Sequence, residues 1–164
     1  IDLTPLSPQD IVLDGFSGKG AFLLQYPSTV DAVECEIDKG IDFFDWTTPV
    51  DWVGPTNPPY SKITQILQHS ITIARKGIAF LIGMINLTPM RIALLEDAGF
   101  GITHMHLCQV VGWFGKSLFI IAQKGHSSTL TYDKTSYRMP PDEDLIFKKN
   151  MKAYQADYWK KNNP

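Results

Sequence analysis

The sequence predicts an α/β three-layer sandwich: a mainly parallel sheet between helices, finished by an antiparallel hairpin. Three observations carry this. A short apolar run, Ile11-Val-Leu-Asp14, leads straight into a glycine-rich turn, Gly15-Phe16-Ser17-Gly18-Lys19-Gly20, which is how a nucleotide-binding α/β unit begins. Strand-like apolar runs then alternate with helix-like stripes, the pattern of a parallel sheet with helices on its faces. The last two strand-like runs are separated only by Gly112-Trp113-Phe114-Gly115-Lys116, a link short enough for an antiparallel pair.

The totals set the frame. At 164 residues, 44% hydrophobic and 20% charged, the chain has the make-up of an ordinary globule large enough to bury a core. No apolar run reaches the length of a membrane span, and no basic segment leads into an apolar one at the N-terminus, so an intracellular (cytoplasmic) protein is expected. The two cysteines, Cys35 and Cys108, lie in apolar runs without a CxxC spacing, and are expected as free thiols rather than a disulfide. His104 and His106 would share a strand face, but no third ligand accompanies them, so no metal is expected. A net charge of −2 argues against a broad nucleic-acid-binding surface, although residues 147–164 concentrate Lys148, Lys149, Lys152, Lys160 and Lys161 against Asp157 alone.

In order, the chain reads as follows. The first strand is Ile11 to Asp14, and Ala21 to Gln25 is compatible with a helix after the glycine turn. Gly18 and Gly20 let the backbone pass close to a ligand, and Asp14 sits at the strand's carboxyl end, where open α/β sheets bind ligands. Val30-Asp-Ala-Val-Glu34-Cys-Glu36-Ile is the second strand, with acids near its end that need solvent or a ligand. Asp42-Phe43-Phe44-Asp45-Trp46 sets acids around aromatics: a solvated turn over core rings, or part of a site. Thr64 to Arg75 carries a helical apolar stripe, which Gly77 is expected to end. The continuous run from Ile78 to Ile85 predicts a strand covered on both faces. Thr88 and Pro89 predict a helix start, with Thr88 as cap, and Gly99 its stop. Ile102 to Val111 and Leu118 to Gln123 predict the hairpin strands. From Ser127 the composition turns polar. Residues 1–126 are therefore expected to form the main domain and 127–164 a C-terminal extension. Its basic aromatic stripe (Phe147, Met151, Tyr154, Tyr158) is either a helix packed on the domain or an arm that touches nucleic acid.

The chemistry is expected at Asp51-Trp-Val-Gly-Pro-Thr-Asn57-Pro58-Pro59-Tyr60. Two consecutive prolines fix φ and hold the residue before each in extended geometry. The peptide is thus a stiff loop, read either as a structural turn after a strand or as a grip for a planar group bearing an NH2. In the second reading Asn57 Oδ1 and the Pro58 carbonyl accept its two hydrogens and Tyr60 stacks on its face.

Asp14-x-Phe16-x-Gly18-x-Gly20, Glu36, Asp42-Phe-Phe-Asp45 and Asn57-Pro-Pro-Tyr60, in this order over roughly residues 9–125, resemble the motifs of class I S-adenosylmethionine-dependent methyltransferases. More narrowly, the chain resembles the amino-methyltransferases that make N6-methyladenine in DNA, including small phage-type members. The resemblance implies a Rossmann-like fold and S-adenosylmethionine as cofactor. Asp14, Phe16, Ser17, Gly18 and Gly20 would line the cofactor's methionine part, Glu36 would hold the ribose, and Asp42 and Phe43 would receive the adenine. Asn57, Pro58, Pro59 and Tyr60 would grip the target amino group, with Asn57 also bordering the cofactor. Trp113 or Phe114 would stack on a flipped base or serve the core, and Lys148, Lys149 and Lys152 would contact DNA. RNA adenine and a protein glutamine amide are the alternative substrates, and a silent scaffold subunit is the alternative role.

One departure is built into the spacing. Only Ile37 to Ile41 separate Glu36 from Asp42, too few for a helical crossover. The fold is therefore expected to be reduced between the second and fourth strands. No separate recognition domain is visible, so a partner chain or a second copy is expected to supply target recognition.

Overall fold

The computed structural model describes residues 2–108 and 115–132. Its strands are β1 (Ile11–Asp14), β2 (Asp31–Glu34), β3 (Val50–Thr56), β4 (Ala74–Gly83), β5 (Phe100–Cys108) and β6 (Ser117–Lys124); its α-helices are α1 (Ile63–Ile73) and α2 (Pro89–Asp97). The strands form one sheet in the order β2-β1-β3-β4-β6-β5. β1 pairs in parallel with β2 and β3, and β3 with β4. β6 then runs antiparallel to β4, and β5 antiparallel to β6, as the sequence predicts. The parallel strands all end on the same side, so Asp14, Glu34, Thr56 and Gly83 mark one ligand-binding edge.

The reduction between the second and fourth expected strands is complete. The chain passes from β2 to β3 through residues 35–49 with two 3-10 turns, Ile37–Lys39 and Phe43–Asp45, and one isolated bridge between Glu36 and Ile41. β2 is thus a sheet edge. Several expected boundaries need correction. The strand expected over Ile78 to Ile85 begins earlier, at Ala74, and ends at Gly83, with Met84–Asn86 forming a 3-10 turn. After the glycine turn there is only a 3-10 turn at Leu23–Gln25: Gly20 and Pro27 leave too little room for a stable α-helix. And α1 stops at Ile73, not at Gly77, because β4 begins at once with Ala74. Pro89 does open α2, but Thr88 makes no side-chain cap; its carbonyl accepts from Arg91 and Ile92 amides. Trp113, Phe114, Lys148, Lys149, Lys152 and nearly all of the extension lie outside the described residues.

The core lies on both faces of the sheet. One cluster joins Leu13, Val53, Ile78, Phe80 and Ile120 to Ile66 and Leu67 of α1 and Leu95 of α2. The other gathers Val12, Trp52, Ala79 and Ile121, with Phe22 and Tyr26 packed against them. At the end of the sheet opposite the ligand edge, a polar network ties the strands together. The buried Asp10 accepts from Ser7 N (2.9 Å), Trp52 Nε1 (3.1 Å) and Lys76 Nζ (2.5 Å), while Asp51 accepts from Ile11 N (3.0 Å). Burial pushes Asp10 up, but its bonds to Lys76, Ser7 and Trp52 outweigh that and hold it below the usual carboxylate range. Cys35 and Cys108 are both free; Cys35 is buried, and its thiol is pushed up to about 11 by burial and nearby carboxylates. No helix among the described residues is long and apolar enough to cross a membrane.

Candidate active site

The site starts at Asp14. The last residue of β1 is fully buried, and its carboxylate accepts from Thr56 Oγ1 (2.5 Å) at the end of β3 and weakly from Phe16 N (3.4 Å). These bonds use Oδ1. The other oxygen, Oδ2, is buried without a partner among the described groups. Burial, helped by the charges of Glu34 and Glu36, raises Asp14 above the usual carboxylate range despite the Thr56 and Phe16 bonds. A buried acceptor costs stability unless something donates to it, so Oδ2 is the point at which a ligand's donor would be welcome.

The loop after Asp14 turns on two glycines in left-handed conformation, Gly18 (φ 51°) and Gly20 (φ 80°). Its position is fixed by Ser17 N donating to the Cys35 carbonyl (3.1 Å) and Gly18 N donating to Glu36 Oε2 (2.6 Å). Glu36, the expected ribose acid, therefore already stands at the glycine loop. Glu34 faces Lys39 instead (2.8 Å). Asp42 caps its own turn by accepting from Phe44 N (2.9 Å). Phe43 is buried beneath Gly15, where a Cβ would lie 2.6 Å from the ring, and contacts Phe16 (centroids 4.8 Å apart) and His69 (5.0 Å). The sequence did not single out Gly15 or Thr56. Gly15 leaves space for a ring and Thr56 orients Asp14; the signal for both was their place next to motif residues at strand ends.

The shortened crossover still delivers its residues. Gly15, Phe16, Glu36, Asp42, Phe43 and Pro59 line one crevice of about 110 Å³. This is below the ~300 Å³ of a typical small-molecule pocket, so the crevice has room for a ring-sized group and not for a whole dinucleotide. Pro59 is also in the wall of the neighbouring open pocket of about 340 Å³, lined by Asn57, Pro58 and Tyr60. Tyr60 OH lies 3.5 Å from Asn57 Oδ1, close enough for a weak bond. Tyr60 packs on Gly83 at the end of β4, where a Cβ would be 3.4 Å from its ring, and burial raises its hydroxyl pKa. One proline thus divides an acid-lined crevice from an amide-lined pocket. Ser17, Gly18 and Gly20 lie on the crevice side but not in its wall. His104 and His106 are exposed on β5, and no metal-holding cluster occurs among the described residues.

No protein-family model and no curated protein matches the sequence. Solved structures do match by shape. The chain is similar to a methyltransferase from Pyrococcus furiosus, with 12% identity over 74% of this chain and 78% of that one and a TM-score of 0.56. It is similar to the E. cuniculi Mtq2-Trm112 complex responsible for methylation of the eRF1 translation termination factor: 16% identity, 73% and 87% covered, TM-score 0.57. A ribosomal protein L11 methylase from Lactobacillus delbrueckii subsp. bulgaricus follows at 14% identity, 75% and 74% covered, TM-score 0.51. At these identities the likeness is one of architecture: the chain has the Rossmann-like methyltransferase fold.

Proposed function

We propose that this chain transfers a methyl group from S-adenosylmethionine to the N6 amino group of adenine in DNA. The observation that carries the reading is the proline-divided pair of pockets at the ends of β1 and β3. S-Adenosylmethionine, when bound, supplies an electrophilic sulfonium methyl and a net positive charge. The residues present fit it: Asp14 Oδ2 lacks a donor, Glu36 and Asp42 flank a ring-sized crevice, and carboxylates favour a cation. On the other side of Pro59, Asn57 Oδ1 and the Pro58 carbonyl accept the two hydrogens of a planar amino group. Tyr60 stacks on the attached ring. Holding both hydrogens localises the nitrogen lone pair and aims it; the work is positioning, so no strong base is needed before attack. As the N–C bond forms the S–C bond breaks, leaving a neutral thioether, and the nitrogen gives its extra proton to solvent after transfer.

In duplex DNA the adenine must leave the stack to reach this pocket. Trp113 or Phe114 would support it there, and Lys148, Lys149 and Lys152 would add phosphate contacts. A partner chain or a second copy would supply further recognition; the Mtq2 neighbour is itself a complex with Trm112. Its protein substrate keeps a glutamine amide as the second reading, since that amide presents the same planar NH2. The deciding assay is transfer of labelled methyl from S-adenosylmethionine to unmethylated DNA, to RNA and to a protein extract. N6-methyladenine recovered from DNA is the expected product. Label in RNA or protein alone redirects the substrate, and label in none, together with no calorimetric binding of the cofactor, makes the chain a scaffold.

A further inference from the structure

Charge is divided along the chain. Residues 2–51 contain ten carboxylates against Lys19 and Lys39, whereas residues 52–132 contain Lys62, Arg75, Lys76, Arg91, Lys116 and Lys124 against Glu96 and Asp97 alone. Both of those acids sit at the end of α2 that adjoins Lys124, the far end of β6 from the ligand edge. Lys62 and Arg91 thus belong to the stretch of the described chain that is poor in carboxylates.

Arg91 and the Lys116 carbonyl hold the 3-10 turn Met84–Asn86, directly after β4. It begins one residue beyond Gly83, whose backbone packs on Tyr60. It is braced on three sides: Met84 N donates to the Lys116 carbonyl (3.0 Å), Leu87 N to the Met84 carbonyl (3.2 Å), and Arg91 Nη1 to the Asn86 carbonyl (2.6 Å). A turn held this firmly presents Ile85 at 87% exposure and Met84 at 49%. Two residues along a chain span at most about 7 Å, so Ile85 lies within that reach of Gly83, on which Tyr60 of the pocket packs.

We propose that Ile85, with Met84 behind it, is the wedge that enters a DNA duplex and fills the gap left by the extruded adenine. The inference rests on the adenine reading above. Removing a base from the stack exposes the faces of its neighbours, and an inserted apolar side chain restores that contact. Arg91, bonded to the turn, and Lys62, two residues beyond Tyr60, add positive charge that favours the phosphates of the same strand. The turn is anchored through its backbone, by the Lys116 carbonyl and by the Arg91 guanidinium, so Ile85 itself makes none of the bonds that hold it.

The test compares transfer to unmethylated mixed-sequence DNA as a duplex and as the same strands denatured. Ile85→Ser and the double variant Met84→Ser/Ile85→Ser are expected to lose about ten-fold or more on the duplex and less than about two-fold on single strands. Ile85→Leu should recover the duplex rate, and all variants should melt like the wild type. Unchanged duplex rates, or equal loss on both forms, would overturn the wedge. So would a wild type active only on single strands, which leaves the adenine reading standing. A wild type that labels neither form of DNA removes the adenine reading, and the wedge with it.

Discussion

Asp10 and Asp14 stand at the two ends of one short strand, and both are buried. Their surroundings differ. Asp10 has a donor on each oxygen and helps fasten β1 to β3 and β4. Asp14 has one satisfied oxygen and one left over. Within β1 the contrast is one of position: the carboxylate before the strand completes the fold, and the one at its carboxyl end keeps an unpaired oxygen.

The strongest attack on this contrast is Asn57→Ala, at the ligand end. Loss of an acceptor used on the reacting group is expected to lower turnover about 10²–10³-fold, while calorimetry shows cofactor affinity nearly intact; equal loss of both would make Asn57 structural. Next comes Asp10→Ala, which leaves the Ser7 amide and the Trp52 indole without their acceptor. It should cost about 2–4 kcal/mol in denaturant melts and leave cofactor affinity in the folded protein unchanged. Asp14→Asn reverses the pattern: cofactor affinity falls about ten-fold or more, and the fold does not weaken at pH 7.

The two aspartates should also respond to pH with opposite sign. Asp10 lies below its ordinary 3.8 in the fold, so its contribution is present above 3.8 and lost as pH falls through the folded value. Asp14 lies above 3.8, so its contribution is present below 3.8 and lost as pH rises through the folded value. Asp14→Asn should therefore be more stable than the wild type at neutral pH, with the difference closing below pH 3.8; a constant difference would place the effect elsewhere. The smallest effect is expected from Lys76→Met. Lys76 is half exposed and bonds Asp10 at the rim of the network, so about 1 kcal/mol or less is at stake.

What was legible in the sequence was mostly what a special residue type enforces. Pro89 opens α2, the paired prolines stiffen the loop after β3, and the five residues from Ile37 to Ile41 rule out a helical crossover. What was not legible depended on partners far along the chain. Ile71-Thr72-Ile73 and Ile78-Ala79-Phe80 are equally apolar, so nothing local marks where α1 gives way to β4; pairing with β3 decides it. Apolar residues from Ala21 to Gln25 look helical, yet the short stretch between Gly20 and Pro27 holds only a 3-10 turn. Asp10 drew no notice because Trp52 and Lys76, which give it meaning, are 42 and 66 positions away. The motif residues were read as a list, and their division into two pockets by Pro59 emerged only from the geometry.

The short crossover also bears on how the chain folds. Parallel strands pair late because a long loop must close before any contact is gained. Here only residues 35–49 separate the end of β2 from the start of β3. A connection three times longer would cost about 1 kcal/mol more in closure entropy. The shorter connection lowers the contact order of the β1–β3 pairing it precedes, so the reduced edge forms with less entropic delay than a full crossover would allow.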